Sequence, residues 1–553
     1  MTLIPSEINT ELNNTKSSKA AIKNAIEAKG VTVGSSATLA DYADLIGDIV
    51  PIVGTKNITI NGTYNASDDS LEGYSSVTVS CDDSGLIPRE ISQGTLQPVA
   101  ITSFTLPNNC TNIGNYGASF AFYNCTTNTS VNLLNLTDVS GVYGLYQAFY
   151  GNTALTNINL TGLTNISGTA ALQYTFYGCN NANMSGLTFT NLASLSGSSA
   201  LQYAFANSSI PTVSFPALTS ISGAACMNYA FQNDIALTSA TFPVLTSITG
   251  QNAFSGAFYG CSNLTTLSFP NLVSVTGGTP FNQVMYNTGI TSFELPELTT
   301  VSTGGLQQLC YYAKNLTSLS LPKLQYAQGD SCLKEICRMQ SSSTNYSKIT
   351  SISIPNLEVV EGHNALEEAF RNCYQCTSIS FPKLKTLIGR QAARYMFRDC
   401  SGLSTSYTFP LLEQLGGEPS YSVNHNQLSP YNGGEMCQAF YGSPITQVSF
   451  PSLQKIYHYS STTASYAMFY GNTTITRLDF PALTTISLPP TLVGTTYETN
   501  NHYKYGPLHL FDGCTNLVEI HFGSANRSAI EATEGYATLW GAPNANCTVY
   551  FDL

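Results

Sequence analysis

Tyrosine and histidine side chains are concentrated in three segments near the C-terminal end of the chain, residues 412–436, 454–467 and 487–509. Tyrosine offers a flat apolar ring with a hydrogen-bonding tip and loses little side-chain entropy on binding, which suits the recognition of sugars or proteins. We therefore predict that these segments form a ligand-binding surface; the alternative is that their rings only pack the segments onto the rest of the fold. The predicted contact residues are Tyr421, His425, Tyr431, Tyr457, His458, Tyr459, Tyr497, His502, Tyr503 and Tyr505.

Five arginines form a second group of candidate binding residues. Arg338, Arg371 and Arg398 occupy a recurring position that is mostly Tyr elsewhere in the chain. Arg390, Arg394 and Arg398 lie four residues apart, which predicts one stripe on a short helix. A positive band of this kind suits an anionic glycan or a neighbouring chain, and the alternative is a solvated structural face.

No recognisable motif brings catalytic or metal-binding residues together. The sequence has no Gly-rich phosphate loop, no His-Glu-x-x-His motif and no nucleophile elbow. A glycosidase would need two facing carboxylates, and Glu413, Glu418 and Glu435 keep that alternative open. We expect no enzymatic activity, no cofactor and no bound metal.

The composition excludes several classes of protein. The chain has 553 residues, of which 43% are hydrophobic and 10% are charged, so it can bury a core. Its net charge of −12 argues against a nucleic-acid partner, which requires a basic face. No apolar run approaches the roughly 20 residues of a membrane span, so we expect no membrane insertion. The N-terminus shows no secretory signal pattern.

Two short patterns recur along most of the chain. The first is an extended segment that ends in Phe-Pro or a near equivalent, as at Pro216, Pro270 and Pro382. The second is a short stretch, predicted to be helical, that ends in Ala-Phe or a similar pair. We call the position of its final residue the Phe column. The Phe column consists of Phe122, Phe149, Phe176, Phe205, Phe231, Phe258, Met285, Cys310, Cys337, Phe370, Phe397, Phe440, Phe469 and Phe511.

One repeat unit illustrates the predicted local structure. In residues 377–403, Ile379 and Phe381 alternate with serines, which predicts a half-buried strand that ends at Pro382. Further along the unit, the spacing of Ala392, Ala393, Met396 and Phe397 is that of one face of a short helix. A unit this small cannot bury its apolar side alone, so the 14 units are expected to stack into a solenoid with a continuous core.

Cysteine usage fits this repeat. Six of the 15 cysteines share the position three residues after the Phe column: Cys125, Cys179, Cys261, Cys373, Cys400 and Cys514. Free cysteine behaves as a small apolar residue in a packed core. We therefore expect these cysteines to be reduced, buried thiols.

The units resemble the leucine-rich repeats of the BspA type. The resemblance rests on a run of the form L-T-S-I-x-[FIL]-P … A-F-x-x-C, seen from Leu264 to Pro270 and at Ala257, Phe258 and Cys261, and it covers about residues 95–525. It implies a leucine-rich-repeat-like solenoid of mixed β structure with short helices. Arrays of this kind mostly bind other molecules.

Residues 1–90 have a different pattern. Two short helices are predicted between residues 18 and 46, and residues 57–80 read as a β-hairpin. The runs from Lys19 to Ile46 and from Gly62 to Val79 resemble modules that recur in phage tail and fibre proteins. That resemblance implies an α+β anchor that attaches to other virion proteins.

These observations predict a non-enzymatic phage virion protein assembled in the bacterial host cytoplasm. Its predicted parts are a helical anchor at 1–50, a hairpin module and linker at 51–90, a solenoid at 91–525 and a C-terminal cap at 526–553. As a tail fibre or receptor-binding protein it would contact a host-surface glycan or protein as a homo-oligomer, a trimer or dimer. The alternatives are a head fibre or capsid decoration protein and a bacterial surface adhesin.

Overall fold

The structure is a computed structural model of the protein. The structure describes the backbone of residues 55–59, 76–80, 86–87 and 103–105, and it describes residues 111–124, 126, 128–339, 348–417, 436–457, 469–487, 510–511, 513–533 and 546–553. The two helices predicted between residues 18 and 46 lie outside the described residues.

Short parallel strands form two rows along a succession of stacked coils, and most coils supply one strand to each row. Row A begins at the N-terminal end with β1 (Thr55–Thr59), β2 (Ser76–Ser80), β4 (Ser103–Thr105), β6 (Ser130–Asn132), β7 (Asn157–Asn159), β9 (Leu187–Thr188), β11 (Thr212–Ser214), β13 (Ser239–Thr241) and β15 (Thr266–Ser268). It continues with β17 (Ser292–Glu294), β19 (Ser318–Ser320), β21 (Ser351–Ser353), β23 (Ser378–Ser380), β25 (Ser406–Thr408), β27 (Gln447–Ser449), β29 (Arg477–Phe480), β31 (Glu519–Phe522) and β32 (Thr548–Phe551).

Row B runs beside row A. Its strands are β3 (Leu86–Ile87), β5 (Asn112–Ile113), β8 (Asn165–Ile166), β10 (Ser194–Leu195), β12 (Ser220–Ile221), β14 (Ser247–Ile248), β16 (Ser274–Val275), β18 (Thr300–Val301), β20 (Tyr326–Gln328), β22 (Val359–Glu361), β24 (Thr386–Ile388), β26 (Gln414–Leu415), β28 (Lys455–Tyr457) and β30 (Thr485–Ser487). Row B is one continuous sheet from β8 to β30, whereas row A is divided into four sheets, with breaks at β7/β9, β15/β17 and β23/β25. The predicted repeat solenoid is therefore confirmed.

The hairpin predicted for residues 57–80 is wrong. β1 pairs in parallel with β2, with Thr55 opposite Ser76, and β2 pairs in parallel with β4. A hairpin requires antiparallel strands, because a short turn cannot join parallel ones. The two strands instead begin row A, so the strand pattern of the solenoid already starts within residues 51–90.

The short helices predicted around the Phe column are also wrong: the described repeats form runs of turns there. A non-glycine residue with positive φ recurs every fourth position, for example Tyr116, Phe120 and Asn124 at 55°, 59° and 56°. Alternate amides bond to the next coil, such as Ala118 N–H to the Gly144 carbonyl at 2.8 Å, and those between them bond three residues back. Buried positions four residues apart suit either arrangement, so the apolar spacing alone could not distinguish a helix from these turns.

Aromatic rings stack through the core along the solenoid axis. Neighbouring rings of the Phe column from Phe122 to Phe258 lie 5.2 to 5.6 Å apart and within 12° of parallel. A second stack follows row A through Phe189, Phe215, Phe242 and Phe269, with centroids 4.6 to 4.9 Å apart. These rings are buried. Identical residues therefore meet identical residues one coil away, which keeps the coils in register.

The cysteines three residues after the Phe column terminate the turn runs. The Sγ of Cys179 donates to the carbonyl of Phe149 at 3.2 Å, and Cys261 and Cys400 make the same bond to Phe231 and Phe370 at 2.9 Å. Asn152, Ser208, Asp234 and Asn472 take this position in other coils and are buried too. All twelve cysteines that the structure describes are free thiols, and eleven of them are buried, as the sequence predicts.

The described part of the C-terminal tail continues the solenoid. β32 pairs in parallel with β31, and Phe551 stacks on Phe522 with centroids 5.6 Å apart. A 3-10 turn at Ser524–Asn526 leads into helix α1 (Arg527–Glu531), which buries Ile530. α1 is the one α-helix among the described residues.

Two adjacent alanines test the turn geometry. Ala225 has a φ of 51°, whereas Ala224 is not among the positive-φ residues. The left-handed conformation costs an L-residue about 1 kcal/mol or more, and glycine avoids that cost. We expect Ala225→Gly to unfold in urea at a concentration similar to or higher than wild type, and Ala224→Gly to lose about 0.5–1 kcal/mol. Equal losses in the two variants would indicate a helix instead.

A buried carboxyl predicts the pH dependence of stability. Burial raises the pKa of Asp234 from 3.8 to about 6, although Ser208 Oγ and the Ile210 and Ala236 amides donate to its carboxylate. The folded protein therefore binds this proton more tightly than the unfolded chain, and this group's contribution to stability falls by roughly 3 kcal/mol as the pH rises from about 4 to about 6.

Asp234→Asn should abolish this fall, and asparagine already occupies the equivalent position at Asn152 and Asn472. The measurement is the free energy of unfolding in urea for both proteins across that pH range. The same slope in wild type and variant would contradict the assignment of the titration to Asp234.

Candidate functional site

The runs of turns form a continuous surface that we call the turn face, made of residues 114–124 in the first described coil and the equivalent residues of each later coil. In the first coils its side chains are half-exposed tyrosines arranged in stacks. Tyr123, Tyr150 and Tyr177 form one stack with centroids 4.9 Å apart. Tyr174, Tyr203 and Tyr229 form a second at 4.9 and 5.2 Å, and Tyr116 lies 5.4 Å from Tyr143.

The local backbone explains the position of these rings. Tyr174, Tyr203 and Tyr229 have positive φ, so each lies at the corner of a turn with its ring beside the ring of the next coil. Burial between neighbouring phenols raises the pKa of Tyr146, Tyr174 and Tyr203 above 10.0. Their hydroxyls consequently remain protonated at neutral pH and can both donate and accept hydrogen bonds.

This part of the molecule is nearly free of charge. No Lys or Arg occurs between residues 111 and 313, and the acidic residues there are Asp138, Asp234, Glu294 and Glu297. None of those four carboxylates belongs to the turn face, because Asp138 pairs with row B, Asp234 lies just beyond its run of turns and is buried, and the two glutamates lie in or beside β17. The tyrosine part of the turn face is therefore an uncharged aromatic surface.

Side-chain amides join successive coils in the middle of the turn face. Gln173 Nε2 donates to Gln202 at 2.6 Å, and Gln202 donates to Asn228 at 2.9 Å. Further along, Gln308 Nε2 donates to Glu335 Oε2 at 2.8 Å. This last bond connects the amides to a group of charged side chains.

The charged part of the turn face contains most of the predicted basic band. Arg338 bridges Glu335 and Glu368 at 3.2 and 2.9 Å, and Arg371 bonds to Glu368 at 3.1 Å. The Glu367 carboxylate forms ion pairs with Lys334 at 2.7 Å and with Arg394 at 3.3 Å. The guanidinium of Arg398 lies 5.0 Å from the Tyr395 ring and 4.9 Å from the Tyr441 ring, and it donates to Gln438 at 3.0 Å.

The structure thus brings Arg338, Arg371, Arg394 and Arg398 together, although on turns instead of the predicted helical stripe. Arg390 lies at the start of its run of turns, where its amide donates to His363 Nδ1 at 2.9 Å. Between residues 329 and 399 the turn face carries six Lys and Arg side chains, against Asp330, Glu335, Glu367, Glu368 and Asp399. The band is close to neutral. Binding of an anionic glycan there stays a prediction.

Of the predicted Tyr and His contact residues, the structure describes Tyr457 alone. It ends β28 and is half-buried. Its ring lies beside Gly417, where an added Cβ would be 3.5 Å from the Tyr457 Cδ2. The others lie outside the described residues: Tyr421, His425, Tyr431, His458, Tyr459, Tyr497, His502, Tyr503 and Tyr505. Glu418 and Glu435 also lie outside them, whereas Glu413 is exposed.

The topology nevertheless places the starts of the three Tyr-rich segments side by side. β26 and β28 lie at the starts of the first two segments and β30 ends where the third begins; these strands are consecutive neighbours in row B, with Leu415 opposite Ile456 and Ile456 opposite Ile486. The chain re-enters the turn face on adjacent coils, where the Phe469 amide donates to the Leu510 carbonyl at 2.8 Å. Three insertions that are separate in sequence therefore leave one edge of the solenoid.

Sequence reasoning missed the second tyrosine stack. The sequence analysis recognised the mostly Tyr position directly after the Phe column. It did not recognise Tyr174, Tyr203 and Tyr229, which lie two residues before the Phe column. The available signal was the recurring Gln-Tyr or Asn-Tyr pair, together with the Asn, Asp or Gly found two residues after the Phe column in most coils. Asn, Asp and Gly are the residues that best tolerate positive φ, so they mark turns.

Two absences among the described residues bear on other kinds of site. No group of three or more His, Cys, Asp or Glu side chains within that part of the chain is arranged to hold a metal ion. No helix there has the length and apolar character needed to cross a membrane.

The sequence matches the family described as "BspA type Leucine rich repeat region" in six copies, over residues 89–226, 225–355 and 336–418. No curated protein matches it. Similar solved structures include a leucine-rich repeat protein from Bacteroides ovatus, 17% identical over 90% of this chain and 94% of that one, with a TM-score of 0.44. Another is a leucine rich cell surface protein from Faecalibacterium prausnitzii, 19% identical over 80% and 89%, with a TM-score of 0.26.

TM-scores of this size do not establish a common overall shape, so the assignment rests on the repeat match, which spans more than half of the sequence. The repeated strands, the Phe column and the cysteine position agree with it. The chain belongs to the BspA-type leucine-rich repeat family.

Proposed function

We propose that this protein is a non-enzymatic recognition protein whose turn face binds a glycan or protein on a host-cell surface. The observation that carries the proposal is the uncharged surface of stacked, half-exposed tyrosines on the first coils. Leucine-rich repeat solenoids serve as binding scaffolds in many unrelated settings, so the family alone does not identify the ligand.

The stacked rings suit binding for an energetic reason. Each ring is held by neighbours about 5 Å away on the adjacent coils, as for Tyr174 and Tyr203 at 4.9 Å. Little side-chain entropy is then lost when a ligand contacts the ring edges and hydroxyls. The lack of charge also allows this face of an acidic protein to approach an anionic cell surface without local repulsion.

The Tyr-rich insertions supply a second contact region in this proposal. Their starting points are adjacent at the ends of β26, β28 and β30, so residues from three coils can contribute to one surface. His and Tyr are abundant in all three segments. This arrangement resembles other scaffolds in which binding loops extend from a rigid framework.

The proposed location is the surface of a phage particle, where residues 1–90 attach to other virion proteins and the protein forms a homo-oligomer. Support comes from the sequence of the runs Lys19–Ile46 and Gly62–Val79, which resemble phage tail and fibre modules. A tail fibre or receptor-binding protein is the first choice. A head fibre or capsid decoration protein is the close variant, and a bacterial surface adhesin is the competing function.

Immunogold electron microscopy of the producing culture tests the location, using antibody raised against residues 91–553. We expect label at the tails of phage particles. Label over the capsid would favour a decoration protein. Label on cell envelopes in cultures without particles would contradict the virion location and favour the adhesin.

A double substitution, Tyr174→Asn with Tyr203→Asn, tests the turn face itself. Asparagine accepts the positive φ of both positions, so the fold should be preserved. Binding of the fluorescently labelled full chain to intact host cells should weaken by about tenfold or more, since tyrosines at binding hot spots contribute on the order of 2 kcal/mol each.

The matched control is Tyr326→Ser, because Tyr326 is half-exposed but lies in row B on β20. Flow cytometry across a concentration series measures all three proteins. Retained binding by the double variant would rule out the tyrosine stacks as the recognition surface, whatever the location of the protein.

A further inference from the structure

A cleft opens in row A where the strand ladder is interrupted between β15 and β17. β15 pairs with β13, and β17 pairs with β19, but β15 and β17 do not pair with each other. The cleft has a volume of about 400 Å³, which is within the range of small-molecule sites. Its lining consists of Leu267, Ser268, Phe269, Pro270, Ser292, Phe293, Glu294, Pro296, Ser318 and Ser320.

The hydrogen bonds of the flanking coils show what is missing at this step. The Phe242 amide donates to the Ser268 carbonyl at 3.0 Å, and the Leu295 amide donates to the Ser320 carbonyl at 3.1 Å. The corresponding bond from the Phe269 amide to the Glu294 carbonyl is not formed. Backbone polar groups that normally join two coils therefore border the cleft.

A change in the order of apolar residues accompanies the opening. Residues 267–269 read Leu-Ser-Phe, with the ring at Phe269, whereas residues 293–295 of the next coil read Phe-Glu-Leu, with the ring at Phe293. Phe269 and Phe293 meet edge to face at 6.4 Å and 79°, instead of stacking at 4.8 Å as Phe242 and Phe269 do. Both rings stay buried, so the extra width between the strands remains at the surface.

The lining has the chemistry of a site for hydroxyl groups. Four serines each offer a hydroxyl that both donates and accepts. Ser320 Oγ donates to Glu294 Oε1 at 3.1 Å, which holds the carboxylate in place across the strand pair. A carboxylate can accept about four hydrogen bonds, so it retains capacity for ligand hydroxyls. Pro270 and Pro296 add apolar surface at the rim.

The surrounding charge restricts the ligand further. No Lys or Arg lies between residues 111 and 313, and Lys323, which follows β19, is already paired with Glu297 at 2.7 Å. Glu294 would therefore repel an anionic ligand such as a phosphate or a uronic acid. A neutral polyhydroxylated molecule satisfies both the serines and the carboxylate.

We propose that this cleft binds a neutral pyranose unit of a saccharide, with Glu294 accepting hydrogen bonds from two ligand hydroxyls and the serines completing the contacts. The site lies on row A, on a different side of the coils from the turn face. It is therefore a second binding activity, and it does not depend on the function proposed for the stacked tyrosines.

Saturation-transfer NMR on the full chain tests the proposal with four neutral sugars: methyl glucoside, methyl galactoside, methyl mannoside and N-acetylglucosamine. Glucuronic acid and glucosamine serve as charged comparisons. We expect at least one neutral sugar to bind and glucuronic acid to bind more weakly. Absence of binding by all four neutral sugars, or binding of glucosamine alone, would overturn the proposal.

Substitutions then locate the site. Glu294→Gln should weaken binding by about tenfold, because a charged hydrogen-bond acceptor is lost while the shape is kept. Ser292→Tyr should block the cleft, and tyrosine suits an exposed strand position. Glu297→Gln is the control, since Glu297 does not line the cleft. Unchanged affinity in both Glu294→Gln and Ser292→Tyr would also overturn the proposal, while the Tyr174 and Tyr203 variants should bind these sugars as wild type does.

Discussion

The hydrogen bond from a backbone amide in one coil to a carbonyl in the next is the interaction on which the whole structure depends. A single coil of this protein has too few residues to bury its own apolar side or to satisfy its own backbone. In the runs of turns, every second amide relies on the following coil, as Phe120 does on Tyr146 at 2.9 Å. The bonds also explain how so many non-glycine residues can hold a positive φ that would be unfavourable in an isolated peptide.

Fixed spacing between coils forces side chains into columns. With about 4.8 Å between parallel strands, a residue meets its counterparts above and below before it meets anything else. Aromatic rings then stack, as Phe176 does on Phe205, and amides form chains, as from Gln173 to Gln202. Charges require alternation of sign for the same reason, which is how Glu368 comes to lie between Arg338 and Arg371. The chemistry of the turn face consequently changes along the axis, from tyrosine through amide to ion pair, while the backbone stays the same.

The same constraint makes a local departure visible at the surface. Where the aromatic residue shifts from the position of Phe269 to that of Phe293, the stack is lost and the ladder between β15 and β17 opens. Row B remains continuous at this level, since β16 still pairs with β18. One face of the solenoid can therefore acquire a cleft without disturbing the register of the coils.

The sequence by itself determined the period of the repeat, the buried Phe column and the strands that end at proline, because each of these features follows from local apolar spacing repeated many times. It also indicated that the six cysteines sharing one position of the repeat are buried, and the five of them that the structure describes are buried. Only the tertiary structure decided that the segments around the Phe column are turns, because apolar residues four apart fit both conformations and the bonds that choose between them come from the next coil. In the same way β1 and β2 are parallel because each strand pairs with an adjacent coil. Arg338 pairs with Glu335, three residues before it, but also with Glu368, thirty residues away in sequence and one coil away in space, so the local pattern contains only part of the pairing that brings the band close to neutral.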